Sequence, residues 1–228
     1  MKKPDASTNG NGAGADASRI AALSAPDSPL IAKTIDYARR YYAPSLFNHI
    51  IRSWLFAAIF ARAETRQVDD EVIAISVLLH DLGLTQQFAG PNRFEVDGAN
   101  AAQSFARSNS VNRRRSQLIW DSVALHSTPS ISQHKEREVA LCSAGVTLDH
   151  FGTGMQKVTP EEMSVILDAF PRLDLKRTLR SRFSDQALAK PGSTYESFVS
   201  DFGQRYVSGY KVPSSVDALL NAPFNESP

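Results

Sequence analysis

The dipeptide His80-Asp81 closes an apolar run over residues 72–79, and Leu82-Gly83 follows it at once. Packing does not explain an imidazole and a carboxylate at the end of such a run. A charged carboxylate in a low-dielectric interior costs several kcal/mol unless it is paired or bound to a metal. The dipeptide alone leaves a second interpretation open, in which both side chains lie beyond the last helical turn, capped and solvated.

Three further residues with metal-binding side chains lie beside apolar segments of the chain: His49, His126 and Asp149. A lone histidine on an apolar face is more often a core residue than a ligand. Metal sites in helical bundles, however, are built from inward side chains on facing helices. Together with the His80-Asp81 dipeptide, these residues form a mixed imidazole and carboxylate set, which suits zinc, iron or manganese better than calcium or magnesium.

The hydrophobic periodicity predicts an all-α fold in which helices position these residues. Helices are expected over 30–41, from a cap at Ser45 to about residue 59, over 69–80, 97–108, 112–125 and 134–150, after a capping box at 159–162, and over 174–189 and 195–208. No alternating pattern long enough for a β-strand is present.

The composition is that of a globular protein with little net charge. The chain has 228 residues, with 25 Lys and Arg against 24 Asp and Glu. It can bury a substantial core, and it carries no net field that would attract nucleic acid or an anionic membrane. The single cysteine, Cys142, excludes an internal disulfide and is expected to be a buried apolar residue. No apolar stretch is long enough to span a bilayer, and we expect a cytoplasmic protein.

The domain organisation follows from the distribution of large apolar residues. Residues 1–28 carry few of them, so we expect a disordered N-terminal tail. The helical domain is expected over 29–212, where Ser28 can cap a helix with Pro29 at its first position. Residues 213–228 are expected to form a C-terminal tail.

The ordered set His49, His80-Asp81 and Asp149 resembles that of the HD-domain metalloenzymes, and the resemblance covers most of residues 30–209. Finer motifs resemble one branch of that family, the cyanamide hydratase-like proteins. These motifs are Asn48-His49 with Arg52, LHDLGLT at 79–85, FEVDGA at 94–99, LHSTP at 125–129, LDHFG at 148–152, Phe170-Pro171-Arg172 and Lys190-Pro191. The resemblance implies an HD-domain helical bundle with a metal site in its core.

The resemblance also implies a set of residues that would hold one divalent metal: His49, His80, Asp81 and Asp149. Zinc is the expected ion, and Fe²⁺ is the alternative. HD proteins with two metals are richer in histidine after the dipeptide, and Phe94 stands here where one such ligand would be expected. Many phosphohydrolase members carry a phosphate-binding lysine where this chain has Leu84 and Thr85, which weakens the phosphoester interpretation.

The function expected from the resemblance is hydration of a small nitrile-type substrate, such as cyanamide to urea, by a metal-activated water. Glu95 and His126 are the expected groups for the two proton movements, one off the water and one onto the nitrogen. Arg52 is expected either to hydrogen-bond Asp81 or Asp149 or to orient the substrate. The alternatives are that Glu95 faces solvent after a loop and that His126 interacts only with free carbonyls at a helix end.

Two other functions remain open at this point. One is an HD phosphohydrolase acting on a nucleotide or phosphomonoester, with Arg52 and Arg93 supplying charge. The other is a metal-stabilised binding module without turnover. A small-molecule substrate is the expected partner. Nucleic acid is not expected, because the basic runs at 113–115 and 176–182 lack interleaved aromatic residues. A membrane is not expected, because the net charge is small and no apolar stretch is long enough to span one. Long apolar helices leave a homo-oligomer open.

Overall fold

The computed structural model describes residues 25–212 and 214–224, and every regular element within them is helical. These residues form eleven α-helices and three short 3₁₀-helices, and they contain no β-strand. The predicted all-α fold is confirmed.

The chain divides into two compact units. The larger unit comprises the chain up to Gly90 together with Phe94–Leu175, and the smaller unit comprises Pro91–Arg93 with the residues from Lys176 onward. The α-helices of the larger unit are α1 (Pro29–Arg39), α2 (Pro44–Arg62), α3 (Asp70–Leu79), α4 (Phe94–Ser108), α5 (Arg113–Leu125), α6 (Pro129–Ser132), α7 (Arg137–Phe151) and α8 (Pro160–Ala169). Those that follow are α9 (Leu175–Ala189), α10 (Val199–Tyr206) and α11 (Ser215–Leu220), and the 3₁₀-helices are Leu82–Leu84, Met155–Lys157 and Pro191–Thr194.

Both predicted tails lie partly outside the described residues. The disordered tail predicted over 1–28 does so for residues 1–24. Ser28 caps α1 as predicted, because its hydroxyl accepts a hydrogen bond from the Ile31 backbone N–H at 3.2 Å. Of the predicted C-terminal tail over 213–228, Pro213 and residues 225–228 lie outside the described residues. Residues 215–220 form α11, where no helix was predicted.

Several helix starts differ from the predicted ones: α7 begins at Arg137 rather than at residue 134, and α10 begins at Val199 rather than at residue 195. The cap predicted at Ser45 is wrong: α2 begins at Pro44, with Ala43 as its N-cap. Proline suits the first helical position, where its missing N–H needs no partner. Helix α4 begins at Phe94 rather than at residue 97, because Phe94 packs into the core, with 2% of its surface exposed. Glu95 therefore lies in the first turn of a helix and not in a loop.

Helix α3 lies at the centre of the larger unit, in contact with α1, α2, α4, α5 and α7. All residues from Val72 to Leu79 are buried, so the helix has no exposed face over this stretch. A helix that is apolar all round is a core helix. Its C-terminal end delivers His80 and Asp81 into the protein interior and not to solvent, as their complete burial shows.

Close backbone contacts fix the helices around this end of α3. A Cβ on Gly145 of α7 would overlap the Ser53 carbonyl oxygen and lie 2.8 Å from Ala57 Cβ, so α2 and α7 touch through their backbones. A Cβ on Gly83 would overlap the Phe94 carbonyl oxygen and lie 2.9 Å from the Gly98 backbone nitrogen. The turn after Asp81 is thus pressed against the first turns of α4.

Cys142 is buried, and burial raises the pKa of its thiol, as expected for an inert apolar residue. Within the described ranges, none of the helices combines the length and apolar character needed to cross a membrane.

Candidate metal centre

His49, His80 and Asp81 meet inside the larger unit. His49 lies in α2, His80 is the C-cap residue of α3, and Asp81 follows it. One potential ligand atom from each residue lies within 4.8 Å of the other two, and all three side chains are completely buried. Elements distant in the sequence thus bring two imidazoles and one carboxylate together.

The three side chains turn their metal-binding atoms toward one another. The Nε2 atoms of His49 and His80 are 3.2 Å apart. The Asp81 Oδ2 atom lies 3.3 Å from His80 Nε2 and 3.7 Å from His49 Nε2. Two imidazole nitrogens at this separation beside one carboxylate oxygen form a convergent donor set for a cation.

Backbone contacts fix the tautomers of two histidines near the cluster. The Nδ1 atom of His80 lies 2.7 Å from the Val77 carbonyl oxygen, and that of His126 lies 2.6 Å from the Val123 carbonyl oxygen. Each Nδ1–H donates to its carbonyl, which leaves the Nε2 lone pair of a neutral ring available. Metal ligation by histidine requires a lone pair on one ring nitrogen, and here Nε2 supplies it.

The Asp81 carboxylate provides the test of whether these residues fit a metal. Both of its oxygens are buried, and neither makes a hydrogen bond to any described residue. Buried polar atoms are normally hydrogen-bonded, and an exception needs an explanation such as an ion. A divalent cation held by Asp81 together with the His49 and His80 lone pairs would satisfy this carboxylate. The residues fit zinc or iron.

Protons and metal compete for this cluster. Burial alone would raise the pKa of the Asp81 carboxyl, but His80 and then His49 hold that pKa well below its usual range. Burial likewise opposes a charge on His80, yet the Asp81 carboxylate outweighs it and raises the pKa of His80 above its ordinary value of 6.5. At a pH below its raised pKa, a proton on His80 would balance part of the Asp81 charge in metal-free protein, and an incoming metal would have to displace it.

The metal affinity is therefore expected to fall as the pH is lowered. Because the His80 pKa lies above 6.5, one proton competes with the ion below that pKa, and the association constant should drop about tenfold for each pH unit. This dependence of zinc affinity on pH is measured by titrating zinc, at several pH values, into protein from which a chelator has removed the metal. A constant affinity between about pH 5.5 and 6.5 would contradict the competition.

Asp149 lies on the outer side of His49. Its Oδ2 atom is 2.6 Å from His49 Nδ1, and Arg52 binds both carboxylate oxygens, with Nε 2.7 Å from Oδ1 and Nη2 2.8 Å from Oδ2. Burial would raise the pKa of Asp149, but His49 and Arg52 together hold it well below its usual range. A carboxylate bonded to the outer nitrogen of a ligating histidine orients the ring. Direct metal ligation by Asp149 stays a prediction.

Arg52 is completely buried, and its guanidinium group donates hydrogen bonds to two separate segments of the chain. Besides Asp149, its Nη1 group donates to the carbonyl oxygens of Phe170 at 2.9 Å and Pro171 at 3.2 Å. Of the two roles predicted for Arg52, these bonds correspond to holding Asp149. Arg172 adds a further bond to Asp149 Oδ1 at 3.1 Å and one to its backbone oxygen at 2.8 Å.

The replacement Arg52→Lys is expected to weaken metal binding roughly 10- to 100-fold, as is typical when a group that orients a ligand is changed. Lysine cannot reproduce the two-pronged contact to Asp149. Zinc titration with a thermal unfolding curve measures the effect. Arg62→Lys is the matched control, because Arg62 is half exposed and pairs with Glu162 at the surface. Equal zinc affinity in both variants would contradict the role of Arg52.

Glu95 and His126 lie beside the cluster. The Glu95 carboxylate is buried and accepts a hydrogen bond of 2.7 Å from the Ser127 hydroxyl, so the alternative in which it faces solvent is wrong. The His126 ring centroid lies 4.7 Å from that of His80, and its Nε2 is 4.0 Å from Asp81 Oδ1. Burial and the nearby His80 lower the pKa of His126 to about 4 against the opposing charges of Asp81 and Glu95.

Two aromatic rings complete the surroundings. The His150 ring stacks on that of His49, with centroids 4.4 Å apart and planes 6° from parallel. Phe94 packs against His126 at 5.7 Å. These contacts hold the rings of His49 and His126 at fixed orientations.

Comparison with known proteins agrees with this geometry. A family model described as the HD domain matches residues 46–165, which is more than half of the chain and includes every residue of the cluster. The chain belongs to the HD domain family. HD-domain proteins are metal-dependent hydrolases that bind divalent metal ions. The cyanamide hydratases DDI2 and DDI3 of Saccharomyces cerevisiae are each 19% identical to this chain over 187 residues, covering 80% of this chain and 83% of the relative.

Two polar contacts in this HD domain were not predicted from the sequence. Arg172 lies in a noted motif, Phe170-Pro171-Arg172, but nothing in that motif indicated a bond to Asp149. Ser127, in the LHSTP motif, was not assigned the bond to Glu95. In each case the two residues are far apart in the sequence, so local patterns do not predict the contact. The one indication in the sequence was a polar residue within an otherwise apolar motif.

Proposed function

We propose that this HD-domain protein hydrates a small nitrile-type substrate, converting cyanamide to urea or acting on a close analogue, with zinc as the metal. The observation that carries the proposal is the buried Asp81 carboxylate without hydrogen bonds, with two imidazole Nε2 atoms on one side and His126 on the other. The similarity to the two yeast cyanamide hydratases supports the choice of substrate class.

The metal would be held by His49, His80 and Asp81, with Asp149 as the further predicted ligand. When bound with an open position, such an ion lowers the pKa of a coordinated water from about 15.7 to ~7, which provides a nucleophile at neutral pH. Arg52 and Arg172 hold Asp149 in place for this set.

His126 is suited to accept the proton of the attacking water. Its Nδ1–H is held by the Val123 carbonyl, so Nε2 is the free acceptor, and it faces Asp81 Oδ1. With a pKa of about 4, the ring is neutral at physiological pH and available as an acceptor. The low pKa also makes a transferred proton short-lived on His126, which favours its passage onward.

Glu95 is suited to pass that proton to the substrate nitrogen. Its charge acts directly on His126, and the Ser127 hydroxyl fixes one of its oxygens. In the addition step one O–H bond of water breaks, a C–O bond and an N–H bond form, and the product is an isourea. Its remaining O–H proton then moves to the same nitrogen, which gives urea. No group leaves. A proton acceptor and a proton relay are therefore all that the protein itself must supply.

The site supports a neutral substrate better than a phosphoester. All three nitrogens of the Arg52 guanidinium already donate to Asp149 or to the carbonyls of Phe170 and Pro171. Arg52 is thus committed within the protein and is not positioned to bind a phosphate, as the phosphohydrolase alternative would need.

A panel of substrates tests the proposal. Zinc-loaded protein is incubated with cyanamide, small organic nitriles, nucleotides and phosphomonoesters, and urea or amide and inorganic phosphate are measured. The proposal predicts urea or amide formation that chelation removes and zinc restores. Phosphate release without any hydration of a nitrile would overturn it in favour of the phosphohydrolase.

Glu95→Gln and His126→Gln are expected to lower the rate of hydration by about 10²- to 10⁴-fold each, the usual contribution of a positioned acid or base. Zinc content should stay near that of the wild type, because neither residue is a predicted ligand. Steady-state rates and elemental analysis of the same samples measure both quantities. His134→Gln is the matched control, because His134 is exposed. Unchanged rates in both variants would favour a binding module without turnover.

A further inference from the structure

Ser143 of α7 donates a hydrogen bond that the proposed mechanism does not use. Its hydroxyl lies 2.9 Å from the backbone carbonyl oxygen of His126, and each of the two residues has 1% of its surface exposed. Helix α5 ends at Leu125 with His126 as its C-cap, so this carbonyl has no partner within its own helix. Ser143 therefore satisfies a buried acceptor at the end of α5 from a separate helix.

The direction of this bond is not the common one for a serine inside a helix. Such a serine often donates to the carbonyl one turn earlier in its own helix, as Ser184 does to Arg180 at 2.8 Å. The Ser143 hydroxyl instead joins α7 to a residue 17 positions earlier in the chain. Alanine would fill nearly the same volume, so apolar packing alone does not require the hydroxyl.

The peptide group that Ser143 holds joins the two residues on which the proposed proton transfer depends. On one side is His126, whose ring donates from Nδ1 to the Val123 carbonyl oxygen at 2.6 Å. On the other side is Ser127, whose hydroxyl donates to the Glu95 carboxylate at 2.7 Å. Because a peptide group is planar, a bond to its oxygen restrains the directions in which both residues leave it. One hydrogen bond from α7 thus bears on both the imidazole and the carboxylate.

We propose that Ser143 is a positioning residue, which holds the peptide group between His126 and Ser127 so that His126 and Glu95 keep the relative placement that proton transfer needs. This role rests on the proposed function, in which His126 accepts a proton and Glu95 passes it on. Proton transfer requires atoms within hydrogen-bond reach, and a misplacement of about 1 Å can cost 10²-fold in rate. Ser143 acts through the peptide group and does not itself exchange a proton.

Loss of the hydroxyl should lower kcat for nitrile hydration about 10- to 100-fold and leave KM nearly unchanged, because the altered geometry concerns proton transfer and not binding. Ser143→Ala removes the donor. Ser122→Ala is the matched control, because Ser122 is also buried, lies on α5, and makes no side-chain hydrogen bond to any described residue.

A second pair of variants separates the hydroxyl from the shape of the side chain. Ser143→Thr keeps the donor, and Ser143→Val has the shape of threonine without it. Ser143 borders a cavity of about 700 Å³ that residues of α2, α6 and α7 line, so the added methyl group has space. Ser143→Thr should keep the wild-type kcat, and Ser143→Val should repeat the loss expected in Ser143→Ala.

Two measurements on the zinc-loaded full chain test the role of Ser143. Steady-state kinetics with cyanamide give kcat and KM for each variant, alone and combined with His126→Gln. NMR spectroscopy follows the signal of the buried His126 Nδ1–H, which is assigned by its absence in His126→Gln and does not depend on turnover. Zinc content and melting temperature of the same samples show that each variant is folded and loaded.

In Ser143→Ala the Nδ1–H signal should shift and kcat should fall, whereas Ser122→Ala should match the wild type in both. In His126→Gln the further change Ser143→Ala should lower kcat little, because residues that act through one another do not have additive effects. A wild-type signal or a wild-type kcat in Ser143→Ala would overturn the role. An equal fold-loss of kcat in the wild type and in His126→Gln would overturn it as well, because a merely structural bond predicts that result.

These outcomes distinguish the role of Ser143 from the proposed function. A shifted His126 signal in Ser143→Ala, with no hydration of any nitrile by the wild type, would keep the positioning of His126 and reject the substrate. Hydration that is lost in His126→Gln but has the wild-type kcat in Ser143→Ala would keep the function and reject the role of Ser143.

Discussion

Asp81→Asn is expected to lose hydration activity by at least about 10³-fold, together with the stabilisation that zinc gives the wild type. The asparagine side chain has nearly the same shape but only one neutral acceptor oxygen, so the charge that balances the metal is gone. Activity and melting temperature with and without zinc measure both effects. Asp121→Asn is the matched control, because Asp121 pairs with Lys135 away from the cluster residues.

The expected size of the stabilisation by zinc follows from the linkage between ligand binding and folding. A ligand that binds only the folded state stabilises it by about 2.7 kcal/mol at a free concentration one hundred times its dissociation constant. Wild type and Asp121→Asn should show a stabilisation of this order with zinc, and Asp81→Asn should show almost none. A zinc-dependent rise of equal size in Asp81→Asn would mean that the ion binds elsewhere.

Gly83→Ala is expected to destabilise the fold by about 3 kcal/mol or more, at the upper end of the range for overpacking. The added methyl group would overlap the Phe94 carbonyl oxygen and approach the Gly98 backbone nitrogen. Both are backbone atoms, so relief requires separating the turn after Asp81 from α4. That movement would also displace Glu95 from His126.

Urea denaturation of metal-free protein measures this effect. Gly192→Ala is the matched control, because a Cβ there meets no atom within 4 Å and the residue has no left-handed backbone angle. Its free energy of unfolding should stay within about 0.5 kcal/mol of the wild type. A Gly83→Ala variant that is as stable as Gly192→Ala would show that the close approach is not required.

Local patterns were sufficient to predict much of the fold. The apolar run before His80 is helix α3, and its lack of a polar face accounts for its central position. The capping box at 159–162 is present as predicted, with Thr159 accepting from the Glu162 N–H and the Glu162 side chain accepting from the Thr159 N–H. Such signals are encoded within a few neighbouring residues, which is why the sequence reveals them.

Contacts between distant segments could not be predicted in this way. The start of α4 at Phe94 depends on core packing across the chain, and the wrong cap at Ser45 came from a residue preference that Pro44 overrides. The bond from Arg172 to Asp149 joins residues 23 positions apart. The predicted ligand set of His49, His80, Asp81 and Asp149 rests on a family resemblance, which supplies the long-range information that local periodicity lacks.

Titration of chelated protein with zinc, followed by calorimetry, tests the central claim that the His49, His80 and Asp81 cluster is a metal centre. We expect one zinc ion per chain in the wild type and no binding at the same concentrations in His80→Ala. Absence of binding to the wild type, or binding of equal strength and stoichiometry to His80→Ala, would contradict it.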